Sequence, residues 1–238
     1  MMLRKMILLA VLSISGISVN AYSAEYTFLS CEGLALPASA QQFISKGYSD
    51  IKISTLGNSK YLYLSSENDV NKCSVVFKVD SNHIENVPTA GEDGKLCNIS
   101  ELNGNVVSFR RDQGRWYNDV YKISPEKSWV LIFTDSCADC QQVKRIYYKN
   151  GIKEREELLS EGTNYSTRKP LSGMISIQKA FLYSKPDEQK KMKAYLIKGD
   201  VFTLTDMSDD GTFYQVNFKT SVGKNVLYWI KSDDFELK

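Results

Sequence analysis

The fold is decided by a strand–turn–strand pattern that is clearest in residues 106–123, VVSFRRDQGRWYNDVYKI. β-Branched and aromatic residues dominate two runs, residues 106–110 and 116–123, and the turn-forming residues 112–114 separate them. Two such runs joined by a short glycine-containing turn indicate a β-hairpin. The segment therefore predicts a pair of antiparallel strands.

The same pattern continues on both sides of this hairpin. Pro37 suits the position just ahead of a first helical turn, so one helix is expected at residues 38–45. Short strands at regular spacing are typical of an antiparallel meander, which predicts a mainly β fold with an N-terminal antiparallel β-domain over residues 22–165. The other strand-like runs are residues 51–53, 61–64, 74–79 and 129–134, and the turn signals lie at residues 57–58, 80–82 and 103–104.

The first 21 residues have the layout of a secretory signal peptide. Arg4 and Lys5 precede an apolar stretch, residues 7–19, which is shorter than the roughly 20 residues that span a bilayer. The small-residue rule favours cleavage after Ala21 over cleavage after Ala24. We expect export to the periplasm and no stable membrane insertion after processing.

Charge and motifs exclude several classes of function. Removal of residues 1–21 leaves 28 basic and 28 acidic residues, so the mature chain lacks the basic field that holds nucleic acid. Nucleophile-elbow, phosphate-loop and His-rich zinc motifs are absent from the sequence. Glu101, Asp135 and Asp139 are scattered carboxylates, and the single histidine, His83, is expected in an exposed turn. We expect no cofactor, no metal site and no enzymatic activity.

Two of the five cysteines form a close pair, Cys137 and Cys140. The spacing is compatible with a structural disulfide, with a thioredoxin-like site that uses Cys137 as nucleophile, or with free or metal-bound thiols. A redox fold of that kind needs a helix at the motif, but residues 142–148 have strand chemistry and residues 150–151 are a hairpin turn signal. A structural disulfide is therefore favoured.

The other cysteines allow a second bridge. Cys73 and Cys97 flank a segment rich in turn residues, and we expect them to pair. Cys31 is then left over. Export would place all five cysteines in a compartment where disulfides persist.

Residues 172–238 contain a second series of short strands. Leu182, Tyr183 and Ser184 precede Pro186, and they are followed by LIKGD at residues 196–200, FYQV at 213–216 and YWI at 228–230. In order and spacing these motifs resemble the bacterial SH3-like domain. The resemblance implies a small β-barrel that binds cell-wall peptides or docks beside another domain.

Six residues are candidates for binding. Arg110, Arg111 and Trp116 form a polar and aromatic recognition surface or simply a solvated hairpin end. Tyr183, Tyr214 and Trp229 line a ligand groove or belong to the core of the barrel.

The sequence thus predicts an exported, non-enzymatic binding protein that docks to peptidoglycan or to a protein partner in the cell envelope. A specific form of this hypothesis is an immunity or inhibitor protein against a secreted wall-degrading enzyme, with the loop at residues 136–140 as a rigid plug. The alternative is a thiol-disulfide oxidoreductase that uses Cys137 and Cys140.

Overall fold

The computed structural model describes residues 29–66, 71–90, 94–138, 142–220 and 222–238. The predicted signal peptide, Asp139 and Cys140 lie outside these ranges. The described chain is mainly β, as predicted, and its long strands belong to three antiparallel sheets. In the described ranges no helix has both the length and the apolar character needed to cross a membrane.

The first sheet lies between a short helix and the second sheet. Pro37 is the residue before this helix, as the sequence indicated, and Ala40 is the helical residue that is buried. The strand order is β3-β4-β5-β6, and β7 also pairs with β5. The elements are β1 (Ser30–Cys31), β2 (Leu34–Ala35), α1 (Ala38–Ile44), β3 (Asp50–Leu56), β4 (Ser59–Ser65), β5 (Cys73–Val79), β6 (Ile84–Pro88) and β7 (Lys95–Cys97).

Strands β4 and β5 are buried on both faces, which explains their continuous apolar runs. Alternate side chains serve different cores, because successive residues of a strand point to opposite faces. Leu62 and Phe77 pack with the helix side, whereas Tyr61 and Val76 pack against the second sheet.

The second sheet is a six-stranded meander in which each strand pairs with its sequence neighbours. Trp129 is its largest contribution to the core between the sheets, where its ring centroid lies 5.2 Å from that of Tyr61. The strands are β8 (Ser100–Leu102), β9 (Asn105–Asp112), β10 (Arg115–Ile123), β11 (Trp129–Cys137), β12 (Gln142–Lys149) and β13 (Ile152–Ser160).

The third sheet is curled around a single apolar core that includes Leu182, Val216 and Ile230. Its strand order is β16-β15-β19-β18-β17-β14-β20. The strands are β14 (Ser172–Ile175), β15 (Lys179–Tyr183), β16 (Lys191–Ile197), β17 (Val201–Met207), β18 (Phe213–Lys219), β19 (Asn225–Lys231) and β20 (Phe235–Leu237).

The strand-type residues between 172 and 183 form two strands, β14 and β15. The break occurs at Ile175, whose N–H donates to the Asp200 carbonyl and whose carbonyl accepts from the Gly199 N–H. Ile175 is the last residue of β14, where it pairs with Phe235 of β20. Strand β14 pairs with β17 and β20, whereas β15 pairs with β16 and β19.

The second and third sheets meet along β12 and β13. Leu158 of β13 is fully buried within the core of the third sheet. The Gln142 side-chain amide donates to the Tyr214 hydroxyl at 3.0 Å, and Lys144 Nζ lies 2.7 Å from Asp206 Oδ2. Apolar and polar contacts therefore fix the third sheet beside the candidate site described next.

Candidate functional site

The candidate site is built on the end of the β9–β10 hairpin. Gln113 and Gly114 have φ angles of 47° and 79°, and a two-residue turn with both φ angles positive matches the twist of paired strands. The turn fixes the register, which places Arg111 opposite Trp116. Three of the predicted binding residues therefore share one hairpin.

Three clefts surround the hairpin end. Cleft A has a volume of about 680 Å³ and lies between the hairpin and the first sheet. Cleft B, of about 430 Å³, lies on the opposite face of the hairpin, and cleft C, of about 350 Å³, lies between its tip and the third sheet.

Cleft A is polar and aromatic. Arg110 forms an ion pair with Asp119, and its guanidinium lies 4.6 Å from the centre of the Tyr117 ring. Asp119 also accepts a hydrogen bond from the Thr134 hydroxyl at 2.7 Å. Burial raises the pKa of Tyr121 well above its ordinary value. These contacts hold the cleft wall in one arrangement.

Cleft B lies over a buried triad of charged residues. Asp135 is 0% exposed and accepts from Arg145 Nε at 2.6 Å and from Arg145 Nη2 at 2.7 Å. The same carboxylate pairs with Arg168 Nη1. Sequence reasoning found no partner for Asp135, and the structure gives it two arginines.

The triad holds the segment that links β13 to β14 against the hairpin. Arg145 Nη2 donates to the Tyr165 carbonyl at 2.8 Å, and Arg168 Nε donates to the Gly162 carbonyl at 3.0 Å. The Arg168 guanidinium also lies 5.0 Å from the centre of the Trp116 ring. Trp116 is thus positioned from beneath by a buried cation.

Cleft C lies at the junction with the third sheet. Arg115 Nη2 is 3.5 Å from Asp209 Oδ1 across this cleft. Trp229, one of the predicted binding residues, lines the cleft together with Cys137 and Pro186. The hairpin tip and the third sheet therefore share one recess.

The other two aromatic candidates lie inside the third sheet. Tyr183 is 5% exposed, and its ring centroid lies 5.1 Å from that of Phe213. The Tyr214 ring lies 5.4 Å from the Phe235 ring, and its hydroxyl accepts from Gln142. Neither residue lines cleft A, B or C.

The predicted disulfide between Cys73 and Cys97 is present. The two residues are directly opposite each other on β5 and β7, with Cα atoms 3.9 Å apart. Both residues line cleft A. The bridge therefore fixes the first-sheet wall of that cleft. Cys31 lies on β1 and forms no disulfide within the described part of the chain.

The Cys137–Cys140 pairing stays a prediction, because Cys140 is outside the described ranges. Cys137 is buried at the end of β11. The segment that follows begins β12 at Gln142, which confirms the strand expected there instead of a helix.

His83 is 60% exposed, as predicted for a turn. With Asp80 and Glu85 it forms a group whose ligand atoms are close enough to hold a metal ion. However, Lys78 Nζ lies 3.2 Å from Asp80 Oδ2 and Lys127 Nζ lies 3.6 Å from Asp80 Oδ1. The hydrogen bond from Lys78 holds the pKa of the Asp80 carboxyl below its ordinary value. Asp80 and Glu85 are thus already engaged in ion pairs with lysines.

Glu101 also has a structural contact, since its Oε2 accepts from the Gly57 N–H at 3.0 Å.

Comparison with family models, curated proteins and solved structures finds no match to this chain.

Proposed function

We propose that this chain is an exported periplasmic binding protein without enzymatic activity, and that the end of the β9–β10 hairpin contacts a protein partner in the cell envelope. The observation that carries the proposal is the position of the hairpin: it presents Arg111, Arg115 and Trp116 between three clefts. Arginine and aromatic residues are enriched at protein interfaces, where they supply most of the binding energy.

Rigidity of the hairpin supports a binding role. Its strands are fixed by the Arg110–Asp119 ion pair on one face and by Arg168 beneath Trp116 on the other. A surface that is ordered before binding loses less conformational entropy when the complex forms. The Cys73–Cys97 bridge adds a fixed wall and is compatible with an oxidising compartment.

Two of the described carboxylates near the hairpin, Asp119 and Asp135, have structural partners. Asp119 binds Arg110 and Thr134, and Asp135 binds Arg145 and Arg168. General acid–base catalysis needs a carboxyl group within reach of the substrate proton. Engagement of these two groups in the framework supports the non-enzymatic proposal.

An inhibitor or immunity role is the specific form that we favour. Ser136 and Cys137, the first residues of the segment expected to act as a plug, end strand β11 and line cleft C beside the hairpin tip. In this form of the proposal the hairpin end would enter a partner's active site and exclude its substrate.

The experiment is affinity capture from envelope extract with the mature chain. We expect recovery of one stoichiometric protein, loss of that protein with the double variant Arg111→Glu/Arg115→Glu, and normal recovery with Lys149→Glu. Lys149 is an exposed matched control at the far end of β12. If both variants recover the partner protein equally well, the interface does not include the hairpin end.

Sedimentation with purified peptidoglycan is the second arm of the same experiment. If peptidoglycan retains the chain and no protein is recovered from the extract, the ligand is the cell wall instead of a protein partner. Failure of both arms would contradict a binding function.

The alternative, a thiol-disulfide oxidoreductase, is less well supported. Cys137 is 3% exposed, whereas a nucleophilic thiol must reach its substrate. The test is titration of Cys137 and Cys140 with dithiothreitol: a pair that is reduced at mild potential and forms mixed disulfides would favour the enzyme.

A further inference from the structure

Cleft B contains more positive charge than its surroundings neutralise. Arg145 and Arg168 are buried in the triad, and Asp135 is the only carboxylate that the described structure places between them. Arg111 lines the cleft as a third cation, and the one further carboxylate in the lining, Glu161, is exposed to solvent. The cleft lining and the triad together therefore contain three cations and two carboxylates. Glu157, the cross-strand neighbour of Arg145, is itself paired with Arg155.

Burial of the surplus positive charge away from water has an unfavourable free energy of desolvation. The Arg168 side chain is 4% exposed, and the Asp135 side chain is fully buried. A buried charge that lacks full compensation costs several kcal/mol unless an opposite charge approaches it. Water screens the exposed Glu161 carboxylate, so this group offsets the surplus only weakly.

The donors around the cleft suit an anion that is planar. Arg111 is the cross-strand neighbour of Trp116, on the face where Arg168 lies 5.0 Å from the centre of the indole ring. The named bonds of Arg168 to Asp135 and Gly162 use two of the five N–H groups of a guanidinium. Asn118 adds a side-chain amide to the lining.

We propose that cleft B binds a carboxylate group of a peptide, held by Arg111 and Arg168 beside the Trp116 ring. The inference rests on the proposed binding function and names the chemistry that the site recognises. Guanidinium groups match the geometry of a carboxylate and bind it by paired hydrogen bonds. The indole ring supplies an apolar floor for the adjoining carbon atoms of the ligand.

The test is NMR titration of the ¹⁵N-labelled mature chain with three small probes. N-acetylglycine represents a peptide C-terminal carboxylate, N-acetyl-glutamic acid α-amide represents a side-chain carboxylate, and N-acetylglycinamide is the neutral control. We expect a saturable shift of the Trp116 indole N–H and the Asn118 amide with at least one acid and none with the neutral probe. The buried Trp129 indole is the internal control and should not move.

Two single substitutions test whether Arg111 binds the carboxylate. Arg111→Gln should weaken carboxylate binding about tenfold or more, because it removes a charged hydrogen-bond donor. Lys149→Gln should leave the affinity unchanged, since Lys149 lies at the far end of β12 and does not line cleft B. Both residues are exposed and lie outside the buried triad, so both variants are expected to fold.

The outcomes distinguish this inference from the proposed function. Equal shifts with acid and neutral probes, or no saturable shift at all, would overturn the carboxylate site even if a partner is captured. Saturable binding that is unaffected by Arg111→Gln would place the carboxylate elsewhere and also overturn it. Carboxylate binding that depends on Arg111, with no partner or peptidoglycan retained, would confirm the site and contradict the proposed function.

Discussion

The substitution Asp135→Asn removes the one carboxylate of the buried triad while keeping the size of the side chain. Asp135 is fully buried and accepts three hydrogen bonds from Arg145 and Arg168. An asparagine oxygen still accepts a bond, but its charge no longer compensates the two guanidinium groups. Removal of one partner from a buried ion pair costs about 3–5 kcal/mol.

That loss is measurable by urea unfolding monitored by tryptophan fluorescence. For a chain of this size it corresponds to a fall in Tm of roughly 6–20 °C. Asp209→Asn is the matched control, because the Asp209 side chain is 97% exposed and its ion pair with Arg115 is 3.5 Å long. We expect no measurable change for the control.

A second substitution tests whether uncompensated charge is the cause. In the Asp135→Asn background, Arg168→Met removes one of the two stranded cations, and part of the lost stability should return. A loss below about 1 kcal/mol for Asp135→Asn would refute the reasoning, since that is the range of an exposed pair. A further loss on adding Arg168→Met would show that the linker contacts of Arg168 outweigh its charge.

Three more predictions concern stability. Replacing Cys73 and Cys97 by alanine should cost about 3–4 kcal/mol, the loop-closure entropy for a separation of 24 residues, as measured by urea unfolding against the oxidised parent. Leu158→Ala should cost about 2–5 kcal/mol and, in calorimetry, lower the transition that includes the third sheet, because Leu158 is fully buried in that core. Burial alone would raise the pKa of Glu156, but hydrogen bonding to Lys153 and nearby positive charge leave this pKa below its ordinary value. The free energy that Glu156 contributes to folding is therefore present above the ordinary carboxyl pKa of about 4.3, and it is lost as pH falls through the lower pKa of the folded state. In Glu156→Gln the free energy of unfolding, measured in urea at a series of acid pH values, should fall less steeply as pH decreases.

The hairpins of the second sheet were predictable because their signals are local. Asn103–Gly104, Gln113–Gly114 and Asn150–Gly151 each have two positive φ angles, the conformation that glycine and asparagine tolerate best. Alternating apolar residues then set the side of each strand that faces a core. Neither signal depends on distant parts of the chain.

The triad was not predictable from the sequence, because its residues meet only through the register of β11 and β12 and through the position of the segment after β13. Asp135 and Arg145 become cross-strand partners only when the β11–β12 pairing is known. Arg168 follows Asp135 by 33 residues and reaches it from the segment after β13. Two positions of opposite charge in neighbouring strands were the only signal available in the sequence.

The aromatic candidates show the same limit. Trp229 and Tyr214 lie on neighbouring strands of the third sheet, yet Trp229 lines cleft C whereas Tyr214 packs on Phe235. Strand periodicity separates the two faces of a sheet, but it does not say which face a second sheet will cover. Contact with β12, through Gln142, decides the environment of Tyr214.

The roles of the triad and of the hairpin end can be separated by their effects on stability and on carboxylate binding. Arg168 is buried and holds the linker, so its loss should reduce stability and carboxylate binding together. Arg111 is exposed on the hairpin and has no ion pair with a described carboxylate within 4 Å, so its loss should reduce binding while the unfolding free energy stays the same. If Arg111→Gln also destabilised the fold, Arg111 would belong to the framework, and a loss of carboxylate binding in this variant would no longer show a direct contact between Arg111 and the ligand.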